Sequence, residues 1–202
     1  MKSVQERPEW KPRTKLGMLV AAKQITSIDE IFENGYRIQE AEIVRALLPD
    51  IRNEVVHVGI VQKQTDAGEM TRFSAIVAVG NDNGWLGIGK GKASQMRTAI
   101  DKATNAALLN LIPIKLGCGS WECRCNKLHS VPFRVQGKGG SVRVEIHPGP
   151  RGLGIVAGEN IKSLLKLAGI KDAWTRTYGA TNTMPSTTKA IYNALRSTYS
   201  VG

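Results

Sequence analysis

Between Glu54 and Asn110 the apolar pattern changes period, and that change limits the available folds more than any other feature of the chain. From Val55 to Gln64 β-branched residues dominate, and from Thr71 to Gly80 Phe73, Ala75, Val77 and Val79 share one face. A two-residue period over such lengths predicts strands with one buried face. Thr65-Asp66-Ala67-Gly68 supplies turn chemistry between them. Asn81-Asp82-Asn83-Gly84 turns the chain again, into a short third strand over Trp85–Ile88. From Ala93 to Asn110 the period is helical, with Met96, Ile100, Ala103 and Ala107 in one stripe and Arg97 and Asp101 paired outside it. Upstream, Ser27-Ile28-Asp29-Glu30 is a capping-box pattern for a short helix through Phe32 that stops at Asn34-Gly35. A further helix over Glu40–Leu48 ends at Pro49.

The order α-β-β-β-α is an α+β layout, and it is that of the double-stranded-RNA-binding domain, which unrelated α+β folds share. Residues 111–130 read as a connector. A hairpin follows, Val131–Gln136 and Ser141–His147 across Gly137-Lys138-Gly139-Gly140. The glycine-rich stretch 148–154 then leads to a helix over Glu159–Ala168, a strand over Ile170–Thr177 and a last helix over Ser186–Thr198. The expected organisation has three parts. Residues 1–53 carry a basic arm and short helices, the helix at 40–48 packing on the first domain. Residues 54–117 form the double-stranded-RNA-binding-like domain, and residues 118–202 form a second α+β domain. The first 26 residues, with Pro8, Trp10 and Pro12 among alternating charges, are expected to be an extended, mobile arm.

Charge narrows the function. The chain has 28 Lys and Arg against 17 Asp and Glu, a formal net charge of +11. Residues 1–53 hold 9 basic and 8 acidic side chains, 54–117 hold 7 and 5, and 118–202 hold 12 and 4. Such an excess attracts polyanions. No apolar run approaches the roughly 18 residues of a transmembrane helix, no basic amphipathic helix stands out, and no apolar segment follows the N-terminal charges. The expectation is a cytoplasmic chain with no membrane partner. Aromatic residues make up only 5%, which supplies a stacking platform for single-stranded bases poorly. Recognition of folded RNA through shape and phosphate fits better.

Two motifs suggest other chemistry. Gly84-Trp85-Leu86-Gly87-Ile88-Gly89-Lys90-Gly91 follows a nucleotide-binding P-loop up to its lysine, but Gly91 stands where a Ser or Thr would hold Mg²⁺. A small-molecule kinase or NTP-binding enzyme using Gly84–Gly91 is therefore the alternative reading. Cys118, Cys123, Cys125 and His129 offer four zinc-type ligands in twelve residues. The single residue between Cys123 and Cys125 is awkward for two tetrahedral positions on one extended strand, so the chain is expected to fold without metal or other cofactor. No glycine-framed nucleophile and no paired carboxylates in a recognisable motif occur, so no catalytic residue is assigned.

The stretch QKQTDAGEMTRFSAIVAVGNDNGWLGIGKGKA (62–93) closely resembles the signature of the family of small-subunit ribosomal protein five. CGSWECRC (118–125), HSVPF (129–133) and GSVRVEIHPGPRGLGIVAG (140–158) resemble its archaeal and eukaryotic branch. The resemblance implies a double-stranded-RNA-binding-like domain followed by an α+β domain of the family's C-terminal type. It implies a structural, non-enzymatic place in the small ribosomal subunit near the messenger entry channel. There it implies contact with ribosomal RNA and neighbouring proteins, including protein four, and an influence on decoding accuracy. The hairpin bearing Lys63, Gln64, Thr65 and Arg72 is expected to reach RNA of the subunit head. Lys90 and Lys92, and Arg124, Lys127, Arg134, Lys138 and Arg151 in the basic cluster, are the other expected RNA contacts. No small-molecule substrate is expected.

Overall fold

Leu16 and Val20 lie one turn apart, and the Thr14 hydroxyl accepts from the Gly17 amide at 3.1 Å. Together they make Lys15–Ala21 a helix (α1) in the computed structural model, which describes residues 10–123, 125 and 127–199. This corrects the expectation of a wholly extended arm: Leu16 and Val20 are buried, and their i,i+4 spacing gives the helix an apolar side. Residues 1–9 of that arm lie outside the described residues. Ile28–Glu33 (α2) starts where the capping residue predicts, with Ser27 Oγ accepting from the Glu30 amide at 3.3 Å. It closes at Asn34, and Gly35 takes φ +68°. Ala41–Leu47 (α3) follows. These helices belong to one compact unit, Met1–Pro49; the second unit is Asp50–Gly202.

In the second unit Arg52–Thr65 (β1) and Gly68–Gly80 (β2) pair antiparallel, from Arg52 opposite Gly80 to Thr65 opposite Gly68, with a bulge between Val55 and His57. The third strand, Trp85–Ala93 (β3), is more than twice the predicted length and takes in Gly87, Gly89 and Gly91. Its glycines face Met96–Leu109 (α4). A Cβ on Gly87, Gly89 or Gly91 would lie 2.2, 2.1 or 2.3 Å from the carbonyl oxygens of Ala107, Ala103 and Ala99. Only glycine lets a helix backbone settle this close to a strand. The same closeness selects the buried side of α4. Ala99, Ala103 and Ala107 are buried while Met96 is exposed, so the stripe read from Met96 and Ile100 is rotated toward the smaller residues. Leu111–Pro113 (β4), inside the stretch read as a plain connector, pairs with β3 and completes the order β1-β2-β3-β4.

The C-terminal half repeats the device. Val135–Gly139 (β5) and Val142–Pro148 (β6) form a hairpin whose turn is Gly140-Ser141, not the four residues 137–140. Gly137 and Gly139 are strand residues because Met184–Arg196 (α6) lies on them. Cβ atoms there would be 2.1 Å from Ala190 O and 2.3 Å from Ser186 O. Ile155–Val156 (β7), Glu159–Leu167 (α5) and Ala173–Tyr178 (β8) complete a sheet of order β5-β6-β8-β7, with β7 parallel to β8. Ala78, Leu86 and Ile112 of the first sheet join Val144, Ile146, Leu164, Leu165, Ile191 and Leu195 in one hydrophobic cluster. The first sheet thus has α4 on one face and the C-terminal half on the other. Asp82 N donates to Leu167 O and Gly84 N to Ala168 O, both at 3.1 Å, and close the seam. Among the described residues no helix is long and apolar enough to cross a membrane.

Candidate nucleic-acid interface

The β2–β3 pairing stops at Phe73 opposite Ala93, so residues 61–72 of the long hairpin pair only with each other. They form a two-stranded ribbon projecting from the sheet. Register fixes its faces, because directly opposed residues share one and neighbours alternate. Lys63 opposes Met70 and Arg72 opposes Val61, so the two cations lie on one face with two exposed apolar side chains. Gln64 turns to the other face, opposite Glu69. Thr65 is half-buried and its hydroxyl donates to Gly68 O at 2.7 Å, so it closes the turn before it can meet a ligand.

Lys90 and Lys92 alternate with the helix-facing glycines and are exposed. The run that suggested a nucleotide loop is therefore paired strand, from Leu86 opposite Gly80 to Ala93 opposite Phe73. No loop of free amides remains there to cradle a nucleotide phosphate, and the physical basis of the kinase reading is gone. Lys90 instead borders a groove of about 490 Å³ with Asn110, Lys189, Tyr192, Asn193 and Arg196. The Tyr192 hydroxyl donates to Asn110 O at 3.0 Å, and burial raises its pKa. Sequence reasoning missed Lys189 and Arg196; their i,i+7 spacing in the last helix was the available signal.

On the second sheet the side away from α6 carries Lys138, opposite Arg143, which in turn opposes Tyr178. Arg176, opposite Glu145, and Trp174, opposite His147, extend the same face. Trp174 and Tyr178 are each 47% exposed. Arg176, Trp174 and Tyr178 were missed, although the alternation Trp174-Thr175-Arg176-Thr177-Tyr178 marks them as outward residues of a strand. Arg134, another expected contact, is exposed, and its guanidinium lies 2.9 Å from the carboxylate of buried Glu145. Lys127 and Arg151 are exposed in loops, and Arg124 lies outside the described residues. Of the expected contacts, Lys63 and Arg72 lie on the ribbon, Lys90 and Lys92 on the flank of β3 and Lys138 on the open side of the second sheet, while Lys127 and Arg151 stand apart in loops.

The connector folds back on itself. Gly117 and Ser130 form a β-bridge and the Cys123 amide donates to Ser120 O, so the described residues between 118 and 129 belong to a loop, not one extended strand. The awkwardness expected of the Cys123–Cys125 gap therefore does not arise. The ligand atoms of Cys118, Cys123, Cys125 and His129 all lie within 4.8 Å of one another. Hydrogen bonding from Cys125, with the backbone amides of Arg151 and Cys125, pulls the Cys123 thiol down to about 6. Burial and the two neighbouring thiols push Cys118 up to about 11.

Residues 51–115 match the family described as "Ribosomal protein S5, N-terminal domain", and residues 137–202 match "Ribosomal protein S5, C-terminal domain". The small ribosomal subunit protein uS5 of Cenarchaeum symbiosum is 62% identical over 197 residues, 98% of this chain and 90% of the relative. That of Pyrobaculum aerophilum is 55% identical over 190 residues, 94% of this chain and 87% of the relative. That of Thermofilum pendens is 52% identical over 191 residues, 95% of each.

Proposed function

The chain belongs to the ribosomal protein S5 family, and from that premise we propose that it serves the small ribosomal subunit by gripping ribosomal RNA with the β1–β2 ribbon. It is a structural constituent of the cytoplasmic small subunit and not an enzyme. Ribosomal RNA and neighbouring ribosomal proteins are its partners. The observation that carries the reading is the asymmetry of the ribbon. One face presents Lys63 and Arg72 beside exposed Val61 and Met70, while the acidic Glu69 is on the other. Two cations on one face, clear of the core, suit adjacent phosphates of folded RNA, and the apolar pair suits the sugar surface between them. Lys90, Lys92 and Lys138 add phosphate contacts on the other two surfaces. The finer placement belongs to the same proposal: a site near the messenger entry channel, beside protein four, with the ribbon reaching RNA of the subunit head and biasing decoding accuracy.

The test is the double variant Lys63→Ala/Arg72→Ala. Folding changes by no more than about 1 kcal/mol, because neither side chain is buried or caps an element. Binding to small-subunit RNA weakens, and the slope of log affinity against log salt falls by about one for each phosphate that is no longer neutralised. Subunits carrying the variant assemble but misread more often. Unchanged affinity, salt slope and accuracy would reduce the ribbon to a solvated loop.

A further inference from the structure

We propose that Cys118, Cys123, Cys125 and His129 hold one structural metal ion of the zinc class, which clamps the connector to the C-terminal half of the chain. A tetrahedral site with bonds of about 2.0–2.3 Å places its ligand atoms about 3.3–3.8 Å apart. Cys118 Sγ lies 3.7 Å from Cys125 Sγ and 3.3 Å from His129 Nε2. His129 Nε2 lies 3.7 Å from Cys123 Sγ and 3.2 Å from Cys125 Sγ. These separations match four of the six edges of such a tetrahedron, and Cys118 Sγ and Cys123 Sγ lie within 4.8 Å of each other. Cys123 and Cys125 are closer, 2.9 Å between sulfurs. They need to part by less than about 1 Å to complete it.

The surroundings are those of metal ligands. His129 Nδ1 is 2.8 Å from Asp172 Oδ2, and both residues are buried. That hydrogen bond fixes the proton on Nδ1 and leaves the Nε2 lone pair for the three sulfurs, the carboxylate–histidine–metal arrangement. Three thiolates and one imidazole exclude the hard cations and favour zinc. Four protein ligands leave no open position, so the role is structural and not catalytic.

What the ion would join is specific. The four ligands come from the loop 118–129. The Arg151 amide comes from the following glycine-rich loop, and Asp172 also accepts from the amides of Gly152 and Gly154, at 3.1 and 2.8 Å. The amides of Lys171 and Asp172 donate in turn to His129 O. Two loops with little regular structure of their own are thereby fixed to the start of β8.

The full chain, expressed in a reducing cytosol and dialysed against a chelator, tests the proposal by elemental analysis. One zinc per chain is expected, and exchange with Co²⁺ should give the visible and thiolate charge-transfer absorption of a tetrahedral sulfur-rich site. Cys125→Ser should lose the metal, whereas Cys125→His should keep it. Asp172→Asn retains the oxygen that meets Gly152 and Gly154 but removes the carboxylate from His129. It should leave the fold intact and weaken metal affinity about 10–100-fold. Zinc well under one equivalent with no thiolate–cobalt absorption in the wild-type chain would overturn the proposal. So would a Cys123–Cys125 disulfide, seen as the loss of two hydrogens in the intact mass. If Cys125→Ser fails to fold, the wild-type cobalt spectrum and Asp172→Asn still decide it.

Discussion

Gly89 sits where two physical demands look alike in a sequence. A glycine there can let a phosphate approach the backbone or let a helix approach it, and both needs write the same glycine-rich run before a helix. The structure selects the second, since a Cβ would lie 2.1 Å from Ala103 O and 2.3 Å from Ala107 N. Neither neighbour is a flexible side-chain tip, so Gly89→Ala must push α4 off the sheet. A loss of about 3 kcal/mol or more is expected in urea unfolding, at the upper end of overpacking effects. Gly158 is the contrast: nothing lies within 4 Å of its missing Cβ, and it occupies the N-cap of α5. Gly158→Ser should change stability by a few tenths of a kcal/mol, in the stabilising direction. A Gly89→Ala variant as stable as the wild type would show that the helix is not seated on the glycines.

Among the elements, the strands were easiest to read and the N-terminal segment hardest. The β1–β2 hairpin declares itself through fourteen and thirteen residues of β-rich sequence about one turn. The helix α1 has seven residues, too few for periodicity to stand out against the charges and prolines before it. Its tether comes from a residue far along the chain: Glu40 accepts from Trp10 Nε1 at 2.8 Å, from Arg13 N at 2.9 Å and from Thr14 N at 2.7 Å. Burial opposes ionisation of Glu40, but the hydrogen bonds from Arg13, Trp10 and Thr14 outweigh it and hold the carboxyl below its ordinary value. The folded-state pKa is lowered, so the tether is in full force above the ordinary glutamate range and is lost as pH falls through the folded value. Acidification to below the ordinary glutamate range should therefore release the Trp10 indole and speed amide exchange at Arg13 and Thr14, read by NMR. Glu40→Gln should produce the same change at neutral pH. Insensitivity of the Trp10 indole signal to both would deny the tether.

For the molecule as a whole, the two family-matched segments share one hydrophobic cluster and a hydrogen-bonded seam at Asp82 and Gly84. Gly80 and Gly169 tighten it, because Cβ atoms on them would lie 2.4 Å from Leu167 O and 2.6 Å from Asp82 O. Residues 50–202 should therefore unfold in one cooperative transition, with near-ultraviolet and far-ultraviolet circular dichroism coincident and calorimetric and van't Hoff enthalpies equal. Two resolved transitions would mean the seam is weaker than its contacts imply. The α+β class, the order of most elements, the basic character and the family were all legible along the chain, because they rest on local period, turn chemistry, charge and motif strings. Nothing local says that the third strand runs on from Gly89 to Ala93, that α4 turns Ala99 and not Met96 inward, or that Lys63 and Arg72 share a ribbon face away from Glu69. Nor does anything local bring Cys118, Cys123, Cys125 and His129 together against Asp172. Those outcomes arise in the folded chain: the strand and helix faces depend on how closely two backbones approach, the ribbon faces on the exact register of the hairpin, and the Cys–His cluster on the loop folding back against distant Asp172, none of which a local pattern records.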